Sequence, residues 1–480
     1  MSTSVKKDIT RLQLHHNVME SIGWIYGIIF TCIAVYLMPI QNGYYLKWVE
    51  SMNFFDDSAF EFNHLMAYPG GLLQYAGCFL TQLLFYPWVG SVVLIMLWGI
   101  IVVLCISTFQ LKGYGIGAAF IVPLGLLNSL LSLDEYLLVL YSKGLAYSPT
   151  LGFLFVTASV WIVAHCRQSI KVVLSCILPF LYPWLGFYAL LGCLLCILMT
   201  KITRKSAVAI AVGMIVAVSI PQIYYLFRHG TWTDDGNLYL NGLPDFIAGA
   251  ADAQFWLPYI IMVSVMIFLC VGFRYKILSK RIIIVVMSIL LLMVTGRGFS
   301  LGSKPEALRA MIMMQQSMDE NNWNRVVRLA SNLREAPSPD VLTIAKLASQ
   351  KTGKGVRIQE AKRESNRTHP RLQSSVVSTA LISVPVSYHI GESNLSYRWA
   401  MEHSIKYGKN VFLLKYMVRC SLLNGDFKLA QKYNSMLQKT LFHKSWASRY
   451  QQFIDNPSLM QEDDEFKTMP SREEVEKVFF

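Results

Sequence analysis

Apolar runs of membrane-spanning length recur through the first 295 residues and then stop. They fall at about 22–40, 72–109, 114–131, 149–165, 172–200, 206–227, 256–273 and 282–295. A hydrocarbon core takes roughly 20 helical residues, and backbone groups inside it must be satisfied within their own segment. The expected fold class is therefore all-α: a polytopic helical transmembrane bundle over 22–295, followed by a soluble part. With 54% hydrophobic and only 15% charged residues in 480, the chain has too little polar surface for a water-soluble globule.

Residues 1–21 form a polar, basic leader, MSTSVKKDITRLQLHHN at its start, and no small-residue cleavage site follows the first run. The first span is expected to stay as an anchor. Two runs are too long for one straight crossing. The run 72–109 is interrupted at Tyr86-Pro87-Trp88, which predicts a short lip or re-entrant helix over 72–85 and a span over 88–109. The run 172–200 is interrupted by Pro179 and by Tyr182-Pro183-Trp184-Leu185-Gly186, so it crosses either once, bent, or twice as a tight hairpin.

Charge decides between these, because short cytoplasmic loops of membrane proteins carry excess Lys and Arg. If 172–200 is a hairpin, one face collects thirteen basic residues: Lys6, Lys7, Arg11, Lys112, Arg167, Lys171, Lys201, Arg204, Lys205, Arg274, Lys276, Lys280 and Arg281, against Asp8 and Glu20. The other face collects Lys47, Lys143 and Arg228 against ten carboxylates, among them Glu50, Asp56, Asp57 and Glu61. The expectation is a cytoplasmic N-terminus, about nine crossings, and a C-terminal domain outside the cytoplasm, in the periplasm of a cell inner membrane. From Gly296 onward there are 27 Lys and Arg against 18 Asp and Glu, but long domains translocate regardless of charge.

Residues 296–460 carry helical periodicity. Ala307-Leu308, Met311 and Met314 lead to Asn321-Asn322-Trp323 and a second stripe at Val326-Val327 and Leu329-Ala330; Pro337 to Asp340 opens a further helix. Asn394 to Gly408 and Val411 to Leu441 follow, the latter turning at Asn424-Gly425-Asp426 with small Ala430 beyond it. Helix, tight turn, helix is the grammar of tetratricopeptide-like repeats, here without a strict 34-residue period. A TPR-like α-solenoid of about three helix pairs is expected, with a mobile basic loop at 351–374 and a charged tail at 461–480.

The stretches YPWLGFYALLG (182–192), the Trp323 helix pair, VPVSYHIGESNLSYRWAMEH (384–403) and FLLKYMVRCSLLNGDFKLAQKYNSMLQKTLFHKSWASRY (412–450) resemble uncharacterised multi-pass inner-membrane proteins of the Bacteroidota type that carry a helical-repeat tail. That resemblance implies the architecture and no activity. A more distant likeness is to polytopic glycosyltransferases that use lipid-linked sugars, whose first outer loop carries an acidic motif; the matching residues here are Asp56 and Asp57.

In that enzyme a carboxylate acts as base on an acceptor hydroxyl, or holds a cation against the leaving phosphate. Asp56 and Asp57 are the candidate catalytic residues, with Glu61 and His64 as neighbours, and Asp134-Glu135 or Asp234-Asp235 as converging loops. The plainer reading is that acidic outer loops follow from orientation alone. Arg297, leaving the last span, is a candidate for a lipid phosphate or a snorkelling anchor. Pro69-Gly70-Gly71 offers backbone N–H groups to an anion, or is only a re-entrant turn. Eight of nine cysteines lie in or beside apolar runs, Cys193 and Cys196 included, and read as small packing residues. The chain holds no phosphate-cradling loop, HExxH or GxSxG, and calls for no metal or cofactor. The expected partners are the lipid bilayer, an envelope protein on the helical-repeat domain or a lipid-linked sugar, and not nucleic acid. Two functions stand: a scaffold or assembly factor of the envelope, or a glycosyltransferase.

Overall fold

The computed structural model describes residues 23–132, 143–200, 204–230, 236–244, 253–275, 280–304, 306–333, 339–355, 375–467 and 469. Those residues are helical with no strand; one isolated bridge joins Asn241 to Leu243. Seven helices are long and apolar enough to cross a membrane: Gly23–Ile40, Pro87–Phe109, Ser148–His165, Gln168–Leu185, Ile210–His229, Phe255–Gly272 and Val285–Gly302. Three shorter apolar helices accompany them, Gly71–Phe85, Gly115–Leu131 and Phe187–Met199.

In chain order the first helices are α1 (Gly23–Ile40), α2 (Gly43–Ser51), α3 (Ala59–Leu65), α4 (Gly71–Thr81), α5 (Pro87–Phe109) and α6 (Ile121–Leu131). All eleven residues of α6 are buried, so this short helix is the central pillar. Two of its polar side chains bond across the bundle. Asn128 Nδ2 donates to the Val294 carbonyl at 2.9 Å, and Ser129 shares a 2.7 Å hydrogen bond with the Tyr259 hydroxyl. Where water is excluded, such partners keep a polar group from being stranded.

Tyr86 adopts an extended conformation and Pro87 opens α5, which ends the preceding helical segment as expected. α4 and its continuation to Phe85 lie across the ends of other helices. Gly70 N–H reaches the Pro183 carbonyl at 3.3 Å, the Leu73 carbonyl accepts from Ser148 at 3.1 Å, and the Cys78 carbonyl accepts from Asn53 at 3.0 Å. A Cβ at Gly77 would stand 2.1 Å from Ser148 Oγ, so only glycine permits this crossing.

α7 (Ser148–His165) is followed by α8 (Gln168–Ile177), an irregular stretch to Leu185, and α9 (Phe187–Met199). The long run 172–200 therefore breaks at Gly186, whose φ of 57° is left-handed. Cys193 Sγ donates to the Ser175 carbonyl at 3.2 Å, which places the arms side by side and antiparallel: the segment doubles back as a hairpin. α10 (Arg204–His229) and α11 (Ala253–Tyr275) lead to α12 (Lys280–Gly302). The stop expected at Gly296 is not there, because α12 runs on to Gly302. A Cβ at Gly298 would stand 2.9 Å from Asn128 Oδ1, and one at Gly302 2.8 Å from Leu37 Cδ2. Both glycines permit close helix crossings.

The C-terminal helices are α13 (Glu306–Asp319), α14 (Trp323–Ser331), α15 (Pro339–Thr352), α16 (Ser375–His389), α17 (Ser393–Tyr407), α18 (Val411–Leu423), α19 (Phe427–Gln438) and α20 (Lys444–Asp455). Each packs on its neighbour in sequence. Asn322 caps α14 by accepting from Arg325 N–H, and Val326, Val327 and Ala330 form its buried stripe. α18 and α19 are joined through Gly425 at φ 76°, with Ala430 fully buried beyond the turn. α16 and α20 extend the series past the helix signals read in the sequence. Of the loop expected at 351–374, residues 356–374 lie outside the described residues. The charged tail is corrected in part: Glu465, in the short helix Asp464–Lys467, is buried.

Candidate functional site

The loop after α2 is built around its aromatic residues. Phe55 packs against Tyr75 and Phe79 of α4, with ring centroids 5.0 and 5.2 Å apart. Asp56 Oδ1 accepts from Ser58 N–H at 2.9 Å, and the Ser58 hydroxyl caps α3 by accepting from Glu61 N–H. Asp56 is thus occupied with its own turn. Asp57 is exposed and meets Lys439 Nζ at 3.2 Å, a contact from the bundle to the C-terminal helices. His64 stacks on Phe60 and meets Tyr68 edge-on. Asp134-Glu135 and Asp234-Asp235 lie outside the described residues. Among the described residues no group of three or more His, Cys, Asp or Glu could hold a metal ion. Arg297 is half-buried inside α12, between Gly296 and Gly298, rather than at a chain exit.

Around this loop the end of the bundle and the C-terminal helices interlock. Asn53 is the hub: its carbonyl accepts from Val411 N–H at 3.2 Å, its Oδ1 from Gly144 N–H at 3.2 Å, and its Nδ2 donates to Cys78. The Asn53 side chain thereby ties α4 to the approach to α7, and its backbone carbonyl ties this end of the bundle to α18. Lys143 Nζ donates to the Met52 carbonyl at 3.3 Å and the Lys409 carbonyl at 3.1 Å. Burial pushes the Lys143 ammonium down to about 8, offset only in part by Cys78 and Glu61.

Farther along the junction, Glu50 Oε1 and His443 Nε2 meet at 2.9 Å, both buried. Phe442 stacks on Phe85 at 5.5 Å and meets Tyr86 edge-on, and Leu441 N–H donates to Gln82 Oε1 at 3.0 Å. Gln316 Nε2 donates to the Tyr44 carbonyl at 2.8 Å, and Lys47 pairs with Glu320 at 3.1 Å. Lys304 donates to the Leu131 carbonyl at the end of α6 and lies over the Tyr45 ring. Segments expected on one side of a membrane (42–71, 143–147, 182–187, 236–244 and the C-terminal helices) touch one another at this end.

Behind the junction Arg419 is buried inside the C-terminal helices. It pairs with Glu465 at 2.9 Å and Asp319 at 3.3 Å, and donates to the Tyr450 hydroxyl at 3.0 Å. Tyr388 and Tyr450 donate to the two Glu465 oxygens at 2.9 and 2.5 Å, and Tyr416 donates to Asp319 at 2.7 Å. Burial opposes the guanidinium charge, but Glu465, the tyrosines and Asp319 outweigh it and hold Arg419 protonated. Every charge in this cage is met by a partner, the condition under which a buried polar network fixes one arrangement. Its residues position helices; they are not poised for chemistry.

The sequence singled out Asp56 and Asp57 and missed Asn53, His443, Arg419 and Glu465, and it read Glu50 and Lys143 only as outer-face charges. Arg419 left one signal, a second charge four residues after Lys415 on the otherwise apolar helix NVFLLKYMVRCSLL. No curated protein and no solved structure matches the chain. A family described as one of unknown function, DUF6057, matches residues 18–478, and the chain belongs to that family.

Proposed function

We propose that the protein is a scaffold or assembly factor for an envelope process, set in a bacterial inner membrane of the Bacteroidota type. In this reading the N-terminus is cytoplasmic, the chain crosses about nine times, and the C-terminal helices form a TPR-like solenoid in the periplasm that binds an envelope protein. The observation that carries it is the junction centred on Asn53. Interlocking contacts of this kind hold the C-terminal helices on one end of the bundle, as a platform requires and a tethered domain does not. Asp56, spent on its own turn, and Asp57, paired with Lys439, support the same reading.

A second reading keeps the glycosyltransferase acting on lipid-linked sugars, with Asp56 and Asp57 catalytic and Arg297 on a lipid phosphate. One observation favours it: non-helical backbone gathers where Gly70, Gly186 and Gly242 approach one another. A Cβ at Gly186 would stand 2.1 Å from the Asn241 carbonyl oxygen, and one at Gly70 2.7 Å from Gly242 Cα. Irregular backbone at membrane depth is tolerated where it is buried in protein or lines a water-filled cavity. Cells carrying D56N/D57N are compared with cells carrying N53A/H443A, scoring envelope glycans, protein level and co-purifying envelope proteins. The scaffold predicts unchanged glycans for the first variant and lost co-purification for the second. Lost glycans with D56N/D57N at normal protein level would make it an enzyme.

A further inference from the structure

The loop between α19 and α20 has a composition that the scaffold reading leaves unused. Lys439-Thr440-Leu441-Phe442-His443-Lys444 alternates cations at its ends with apolar residues between. Phe442 stacks on Phe85, two residues before α5 opens, and His443 reaches Glu50 of α2, so the loop is pinned to this end of the bundle. The first turn of α5 exposes Trp88 at 55% and Val89 at 47%, and the stripe continues through Val92, Met96, Ile100 and Val103, all exposed. At a spacing of three to four residues this is one helix face, the face a spanning helix turns to lipid.

Leu441 is 43% exposed although its own N–H is bonded to Gln82, and Tyr86, which Phe442 meets edge-on, is 53% exposed. An exposed leucine next in the chain to Phe442, which packs on Phe85 and Tyr86 just before α5 opens at Pro87, sits near where interfacial residues belong. Lys439 and Lys444 flank it, both exposed. Lys439 touches Asp57 at 3.2 Å, a solvent-exposed pair that contributes little. Among the described residues Lys444 has no carboxylate within ion-pair distance.

We infer that the Lys439–Lys444 loop is a lipid-contact site, in which Leu441 enters the headgroup region and Lys439 and Lys444 bind the phosphates of anionic phospholipid. The apolar stripe of α5 supplies the lipid side and the two lysines the charge complement. The inference rests on α5 crossing a bilayer and on the C-terminal helices being docked at its end, but on neither the scaffold nor the enzyme reading. It also gives the docked helices a second support, since they would rest on the membrane surface as well as on the bundle.

The test uses the full-length protein in mild detergent, mixed with phosphatidylglycerol or phosphatidylcholine, with bound lipid counted by native mass spectrometry. The wild type is expected to retain phosphatidylglycerol over phosphatidylcholine. K439Q/K444Q is expected to lower that preference by roughly 25-fold, about five-fold per lysine near an anionic surface, with an unchanged Tm. K439R/K444R should restore it, and L441S should lower retention of both lipids alike. Equal retention of phosphatidylglycerol by the wild type and K439Q/K444Q overturns the inference. So does displacement of the lipid by 50 mM inorganic phosphate (roughly a physiological-strength ionic competitor) where equal ionic strength of chloride displaces none, because the site would then be one for free phosphate.

Discussion

The apolar bundle and the C-terminal helices bury polar side chains by opposite means. In the bundle the matched groups are uncharged, and several close bonds to backbone carbonyls: Asn42 to Gly302 at 3.1 Å, Asn128 to Val294, Ser148 to Leu73. Close crossings there are made by glycine, as at Gly77 and at Gly152, whose Cβ would stand 2.6 Å from the Tyr188 ring. The C-terminal helices take full charges inside, Arg419 with Glu465 and Asp319, and pack through Ala400, Ala430 and Ala447 with aromatic rings around them. The difference follows the surroundings. An unpaired charge is costly wherever it is buried away from water, so the bundle keeps to uncharged groups and the C-terminal helices bury their charges as matched pairs.

The strongest way to break that comparison is R419M. Removing the guanidinium leaves Glu465 and Asp319 beside one another without a counter-charge, which is expected to cost about 3–5 kcal/mol. Thermal unfolding and hydrogen exchange in α18 to α20 read it out, and R419M/E465L should recover much of the loss. A single variant as stable as the wild type would mean that the cage is not closed. In the bundle, G186A has to place a side chain at φ 57° against the Asn241 carbonyl and should cost about 1–3 kcal/mol. G425A, at φ 76° with nothing within 4 Å, meets no such neighbour and should cost less, about 1 kcal/mol. The two measured by thermal inactivation in the same detergent separate tight approach from backbone strain.

At the junction, N53A strands the donor and acceptor groups that Asn53 satisfies, at about 1–2 kcal/mol. Faster exchange at Gly144, with little change at Val411, whose bond is to the residue-53 backbone carbonyl, and none in α6, would locate the effect. A smaller, pH-dependent effect belongs to His389. Burial first, then Arg419 and Lys351, hold its imidazole well below the usual range. Its folded-state value is depressed, so below about pH 6.5 the unfolded chain binds a proton that the folded one does not, and stability falls as pH falls. The C-terminal helices should weaken from pH 6.5 to 5, and H389F should flatten that slope in melts taken across the range. Least of all, D57N removes one exposed ion pair and should change stability by about 0–1 kcal/mol; a larger loss would give Asp57 a role its surroundings do not explain.

What the sequence made legible tracks how local each cause was. The break before Pro87 follows from one residue's missing N–H and fixed φ. The hairpin of 172–200 was expected from charge, and the chain does double back at Gly186. Gly296 was misread as a boundary, since the helix runs through it to Gly302, and the close approaches that Gly298 and Gly302 permit cannot be seen without the neighbouring helices. The junction was not readable at all. Glu50 and His443 are 393 residues apart in sequence, and neither stands in a motif. Glu465 stood in an acidic run, QEDDEF, where composition points outward, and only the Arg419 cage draws it in.

The central claim is that the C-terminal helices are fixed to one end of the bundle. Zero-length carbodiimide cross-linking of the intact protein tests it most directly, because Asp57–Lys439 and Lys47–Glu320 are amine–carboxylate pairs at 3.2 and 3.1 Å. Peptide mapping should recover both cross-links together in high yield at dilutions that exclude contact between molecules. Recovery of neither, with cross-links confined within the bundle and within the C-terminal helices, would show two bodies moving independently and contradict the account.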